Sequence, residues 1–307
     1  MALDLSKLTA YVDEQRLPLL RNAVIGSRTA KEFYLMTGVK GTTALNLLDT
    51  SVKLGAAACS WNPTTNQSLS QRNLVPGFVE VQASYCDKQM QKYWMNEQIR
   101  IAAGQKTLPF EEEFIAGVVE GVKANLEKSL WQGDVTKAAT NPNIGQFDGI
   151  IKIADAADLA ATVEYATGAT ISSIVNDVYA KIPSAAFEKG EVVLYMGSDS
   201  YRKLIQEYIA NSNIVVTNTM NDVGMPMDIL IPGTNVRIIP VAGLDNTGRF
   251  FASYKDNFVY GTDMTGDEEK FDMWYSKDNQ EFRLDIQFTA GVQIAYPDMV
   301  VTAKEQQ

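Results

Sequence analysis

Histidine is absent from the 307 residues of this chain. Its absence removes the usual general base, the commonest metal ligand and the side chain that titrates near neutral pH, so Ser-His and Cys-His catalysis are both excluded. Cysteine is almost absent too, with Cys59 and Cys86 the only examples. Two are too few for a disulfide framework, and their spacing does not suit a zinc knuckle. Free thiols in a reducing compartment are expected. No apolar run approaches the roughly 18 residues of a membrane-spanning helix, and Met1–Leu20 lacks a basic segment leading into an apolar one. Walker, GxGxxG and GxSxG signatures are missing as well.

What is present is an ordinary globular balance, 46% hydrophobic and 21% charged, in a chain long enough for about two cores. The net charge of −10 argues against gripping nucleic acid, which requires lysine and arginine to displace counterions from phosphates. DNA near this protein is expected to be enclosed, not bound by sequence. No metal, cofactor or membrane partner is expected.

Residues 1–50 are charge-balanced, with Lys7, Arg16, Arg21, Arg28, Lys31 and Lys40 against Asp4, Asp13, Glu14, Glu32 and Asp49. They read as a mixed-charge leader, and the rest of the chain carries the acidity. From Val52 to Cys86 the texture becomes alternation and turns. Val79, Val81, Ala83 and Tyr85 fall on one face of a strand, with Glu80, Gln82 and Ser84 on the other. A partner strand is expected around Val52–Trp61, across the turn Asn62-Pro63-Thr64-Thr65-Asn66 and the polar run Gln67–Asn73. This long hairpin is too thin to be stable alone, so it lies on its own domain or on a neighbouring subunit.

Next comes a helix over about 109–131. Pro109 opens it, Glu111, Glu112 and Glu113 sit at the positive end of its dipole, and Gln132-Gly133-Asp134 stops it. Phe114, Val118, Val122, Leu126 and Leu130, with Ile115, Val119 and Trp131, form the apolar stripe, and Glu120, Lys123 and Glu127 take other faces. Gly117 and Gly121 sit one turn apart and each costs about 1 kcal/mol of helix stability against alanine. Either another backbone approaches them closely or the packing tolerates them.

A second unit follows Gly149-Ile150-Ile151. It contains a helix buried through Ile171, Ile174, Val175, Val178 and Ile182, a strand over Glu191–Met196 and a helix over Ser200–Ala210. Val236–Val241 and Arg249–Tyr254, around Asp245-Asn246-Thr247-Gly248, read as a hairpin. Phe271–Ser276 and Glu281–Phe288 read as another, and Val292–Tyr296 is a last apolar stretch. Strand-rich segments thus bracket a middle unit, as insertion of one domain into another produces.

Asp263, Asp267, Glu268, Glu269 and Asp272 form the densest acidic cluster. It lacks EF-hand spacing and reads as a solvated loop. Paired carboxylates for hydrolysis remain a rival reading, because their separation is three-dimensional. Trp61, near the hairpin tip, is either an inter-subunit anchor or packed beneath its own hairpin.

In their order, these pieces resemble the tailed-phage major capsid proteins of the Hong Kong 97 capsid fold, an α+β architecture. The local matches are Lys128-Ser129-Leu130-Trp131-Gln132-Gly133-Asp134, Phe147-Asp148-Gly149-Ile150, Val192–Leu204 and Val292-Gln293-Ile294-Ala295-Tyr296-Pro297. The resemblance implies an N-terminal arm (1–50), an extended hairpin loop (51–86), a peripheral domain (87–154 and 256–307) and an axial domain (155–255). It implies a structural protein, not an enzyme, self-assembling as pentamers and hexamers into an icosahedral head around double-stranded DNA. Implied partners are a separate scaffolding protein, a portal and a decoration protein. The implied location is the virion, after assembly in the bacterial cytoplasm. Contacts between subunits are expected from Arg16 and Arg21 in the arm and from Trp61, Asn62, Pro63, Gln67 and Arg72 in the hairpin. The alternatives are an encapsulin-type compartment on the same fold and a His-free carboxylate hydrolase.

Overall fold

A computed structural model of the chain describes residues 18–51, 66–86, 110–210, 229–263 and 270–306, with Gln15 and Met95. Its first part runs through helix α1 (18–25), α2 (Arg28–Glu32) and strands β1 (Tyr34–Thr37), β2 (Thr43–Ser51), β3 (Asn66–Leu74) and β4 (Gly77–Cys86). Then come α3 (Phe110–Gln132), α4 (Ile150–Asp155), β5 (Ala161–Tyr165), α5 (Ile171–Lys181), α6 (Ser184–Lys189), β6 (Val192–Gly197) and α7 (Ser198–Ala210). Strands β7 (Ile229–Leu230), β8 (Arg237–Val241), β9 (Phe250–Tyr254), β10 (Phe258–Thr262), β11 (Lys270–Ser276), β12 (Glu281–Ile294) and β13 (Val301–Glu305) complete it.

These strands form two sheets and a separate ribbon. The five-stranded sheet is organised on β12, which takes β4 along one side and β11 followed by β10 along the other, with β1 parallel to β10. Ala290 pairs with both Gly77 and Thr262, which places β4 and β10 on opposite sides of β12. The six-stranded sheet has the order β5-β13-β9-β6-β8-β7, and among the described residues β2 pairs only with β3.

Helix α3 lies on the five-stranded sheet, and its buried line is Ile115, Val119, Val122, Leu126 and Leu130. Val118 is only half-buried, so the stripe is rotated from the four-residue spacing read in the sequence, as 3.6 residues per turn requires. Strand β6 is buried at every position, because helices or the other sheet cover both of its faces. Val193 and Tyr195 join the core shared with α3, and Val192, Leu194 and Met196 join the core beneath α5 and α7. Trp131 sits where the layers meet, with ring centroids 5.5 Å from Phe33, 5.4 Å from Tyr195 and 5.5 Å from Phe251.

Four sequence expectations are corrected by these pairings. The strand Val79–Tyr85 is not an arm of the ribbon: it pairs with β12, and the ribbon's second arm is Asn66–Leu74. Alternation identifies a strand but carries no information about its partner. Val236–Val241 and Arg249–Tyr254 do not pair with each other, since β6 lies between them, parallel to β8 and antiparallel to β9. The turn between them is nevertheless real, with Asn246 and Gly248 at positive φ. Val301–Glu305, expected with the five-stranded region, pairs instead with β5 and β9 in the six-stranded sheet. Finally, Glu127, expected on a wet face of the helix, is buried.

Candidate assembly surfaces

The ribbon is held to the body at its base. Leu47 and Leu74 pack with Val39, Val259 and Ala295, and Leu74 fills the space over Gly261, where a Cβ would lie 2.7 Å from Leu74 Cδ2. Gln293 Nε2 donates to the Asn73 carbonyl at 2.6 Å, and Arg72 Nη2 donates to Gln293 Oε1 at 3.4 Å. Further out, Gln71 Nε2 donates across the ribbon to Asn46 Oδ1 at 2.8 Å. Leu69 occupies the opposite face from Leu74's and is 78% exposed.

The N-terminal segment is also anchored. Leu20, Ala23 and Val24 of α1 are buried, and the Val24 carbonyl accepts from the Tyr260 hydroxyl at 3.2 Å. Helix α2 is capped twice: Ser27 Oγ accepts from the Ala30 N–H at 3.2 Å, and Glu127 accepts from the Thr29 N–H at 3.1 Å and from the Thr29 hydroxyl. Trp131 Nε1 donates to the same hydroxyl at 2.8 Å. Burial drives the Glu127 carboxyl above its usual range, against the opposing pull of the Thr29 hydrogen bonds. At the other end of α2, Glu32 pairs with Arg237 and Lys255, each at 3.0 Å, and Arg237 also reaches Glu191 at 3.0 Å.

Between α3 and β4 runs a groove of about 630 Å³. Val81, Val122, Leu126 and Phe288 contribute to its lining, and Gly117 and Gly121 face it. A Cβ added at either glycine meets nothing within 4 Å. No backbone in the described residues therefore approaches them.

At the end of α3 two of the segments that carry the resemblance, 128–134 and 147–150, come together. The Gly149 N–H donates to the Gly133 carbonyl at 2.9 Å, and a Cβ on Gly149 would lie 2.5 Å from the Gly133 nitrogen. Lys152 Nζ bridges Asp134 and Asp148 at 2.7 Å each. Its hydrogen bond and that of Thr136 hold the Asp134 carboxyl far below the usual aspartate range.

Of the expected contact residues, Arg21 is exposed on α1, and Arg72 is half-buried against Gln293. Gln67 lies in β3; Arg16, Trp61, Asn62 and Pro63 lie outside the described residues. Of the acidic cluster, Asp263 is buried and Asp272 pairs with Lys270 at 3.4 Å, and Asp267, Glu268 and Glu269 lie outside the described residues. Among the described residues no group of three or more acidic or cysteine side chains is arranged for a metal ion. In the polar hollow beside β13, Asp155 and Glu164 are ion-paired with Arg249 and Lys304 at 2.9 and 3.0 Å. Sequence reading missed Glu127 as an anchor. A glutamate four residues before Trp131 and one turn from Lys123 gives no local sign of burial.

This is the α+β capsid fold of the Hong Kong 97 type. No family profile and no curated protein matches the sequence, but solved structures match it over nearly its whole length. A chain of the satellite phage P4 procapsid, which includes its size determination protein, superposes with TM-score 0.61 at 9% identity, covering 100% of this chain and 98% of that one. A chain from Gordonia phage Cozz gives TM-score 0.61 at 11% identity over 92% and 87%. A virus-like particle from Pyrococcus furiosus gives 0.54 at 10% over 94% and 98%.

Proposed function

We propose that the chain is the major capsid protein of a tailed phage, a subunit that assembles with copies of itself into the head enclosing double-stranded DNA. The observation that carries this reading is the match of the whole chain, end to end, to shell-forming chains, the P4 procapsid among them. In this reading the ribbon and the N-terminal segment are the assembly devices. Among the described residues the ribbon pairs with no further strand and Leu69 on its outer face is exposed, and an isolated ribbon of that kind gains its burial from a partner. Arg16 and Arg21 of the leader, and Trp61, Asn62, Pro63, Gln67 and Arg72 of the ribbon, are assigned to contacts between copies. The six-stranded unit gathers copies into pentamers and hexamers by head-to-tail contact. A separate scaffolding protein, a portal and a decoration protein are the expected partners, the bacterial cytoplasm the place of assembly, and the virion the destination. The chain performs no catalysis in this role.

A second reading has one specific support, the match to the Pyrococcus furiosus virus-like particle: a closed compartment around a protein cargo. Electron microscopy of the purified chain, alone and with a candidate scaffolding protein, tests both. Icosahedral shells are expected, and particles from the native source separate the readings by content, DNA with a portal or protein cargo without one. A chain that stays monomeric under every assembly condition refutes both.

A further inference from the structure

In a chain without histidine, a response near neutral pH falls to displaced carboxyls, thiols and the chain end. Glu127 is such a carboxyl. It is 6% exposed, and its hydrogen-bond partners are neutral and belong to the N-terminal segment: the Thr29 N–H, the Thr29 hydroxyl and the Ser27 hydroxyl. Burial raises its pKa, the Thr29 and Ser27 donors oppose the rise, and the positive charge of Arg28 opposes it more weakly than any of them.

The other charged groups on the elements around it are engaged elsewhere or face water. On α3, Lys123 pairs with Glu120 at 3.1 Å and Lys128 is exposed. On α2, Lys31 is exposed, and Glu32 pairs with Arg237 and Lys255. Ala242–Leu244 and Pro142–Ile144, both packed against α3, carry no charge, and Asp245 accepts from the Ser198 N–H. On α4, Lys152 is held by Asp134 and Asp148. Among the described residues no lysine or arginine forms an ion pair with Glu127.

The segment that Glu127 grips is anchored unequally. Phe33 stacks on Phe258 at 5.2 Å, and the two ion pairs of Glu32 tie the end of α2 to the six-stranded sheet. Residues 18–30 are held by less: Leu20, Ala23, Val24 and Ala30 are buried, and the Tyr260 hydroxyl donates to the Val24 carbonyl. An ionised carboxylate without a cation is costly to keep buried, and lifting the start of α2 away returns it to water.

We propose that Glu127 is a proton-operated latch: protonated, it holds residues 18–30 on α3, and ionised, it releases them while Phe33 and both sheets stay in place. The latch is a property of a single copy and does not depend on shell formation. The docked state binds the proton more tightly than the released state. Docking is therefore strongest below the ordinary glutamate pKa and weakens as pH rises through the raised value. Within that window the released fraction grows by up to about tenfold per pH unit, and outside it the fraction is constant.

Hydrogen exchange of the full chain, followed by mass spectrometry from about pH 4 to about pH 9 and corrected for intrinsic amide exchange, tests the latch. Protection over residues 18–30 should fall by up to about tenfold per pH unit within the window, while β6 and β12 keep theirs. Glu127→Gln, which cannot ionise, should keep the segment protected at every pH. Thr29→Val removes a hydrogen bond that favours the ionised form and should carry the upper end of the fall to higher pH. Equal slopes in the unaltered and Gln chains, a segment whose protection ignores pH, or loss of protection in β6 and β12 together with it would overturn the proposal. Should Glu127→Gln fail to fold, the displacement in Thr29→Val decides, and a fall that does not move overturns the latch.

Discussion

Glu127 and Thr29, 98 positions apart in sequence, are joined at 3.1 Å from carboxylate to backbone N–H, and this pair docks the N-terminal segment onto the long helix. The carboxylate supplies to α2 what a local capping residue supplies to an isolated helix, an acceptor for an orphan donor. Because the Thr29 hydroxyl also bonds Trp131, the segment, the helix and the aromatic centre of the molecule form one connected network.

Removing the acceptor should be costly. Glu127→Ala leaves the Thr29 N–H buried without a partner and is expected to lower stability by about 2 kcal/mol, measured by denaturant unfolding. Burial raises the Glu127 pKa in the folded state, so the folded chain holds this proton more tightly than the unfolded chain. Stability from this group is therefore fully present below the ordinary glutamate pKa and is lost as pH rises through the raised folded value. Glu127→Gln should remove that part of the pH dependence, and an unchanged stability–pH profile in the Gln variant would contradict the assignment.

Trp131 is expected to be the most sensitive single position in the core. It is fully buried among Phe33, Tyr195 and Phe251, and Trp131→Ala should cost about 4 kcal/mol. Trp131→Phe retains most of the packing but loses the indole hydrogen bond to Thr29. Its cost should be smaller by about 2 kcal/mol, with hydrogen exchange rising first in α2.

The glycines of α3 and of its neighbour should respond in opposite directions. Gly117→Ala and Gly121→Ala place a methyl group in open space and should each stabilise the isolated subunit by about 1 kcal/mol. Gly243→Ala instead drives a Cβ to 2.3 Å from both the Glu127 carbonyl oxygen and Trp131 Cδ1. A loss of about 2 kcal/mol is expected from such overpacking. Thermal melting of the three variants checks the contrast of sign.

Asp134 offers a spectroscopic check on the end of the helix. Its carboxyl is held well below the usual range by Lys152 and Thr136, so its stabilising effect is present above the ordinary aspartate pKa and disappears as pH falls through the depressed value. Lys152→Met should return the Asp134 titration most of the way toward that ordinary value, measured by carboxyl carbon chemical shifts. A titration that does not move would show that Lys152 is not the cause.

Much of this architecture was legible before any coordinates. The long helix, the helix through Ile174 and Val178, the strand Val192–Met196 and the hairpin Phe271–Ser276 with Glu281–Phe288 all stand where their periodicity and turn residues put them. Gly133 and Gly149 belong to segments far enough apart in sequence that nothing local announces the hydrogen bond joining them. Lost from view were the partner of Val79–Tyr85, the separation of β8 from β9 by β6, and the return of Val301–Glu305 to the six-stranded sheet.

The division follows from the range of the forces. Side-chain periodicity, capping and turn chemistry act over a few residues, so the sequence alone determined which segments are helix or strand and which faces are apolar. It also determined the absence of histidine chemistry. Which strands are neighbours depends on hydrogen bonds between residues far apart in the chain, and any strand edge is chemically competent to pair with any other. For that reason only the tertiary structure decided that Glu127 is buried on Thr29, that β4 pairs with β12 and not with β3, and that no backbone among the described residues approaches Gly117 or Gly121.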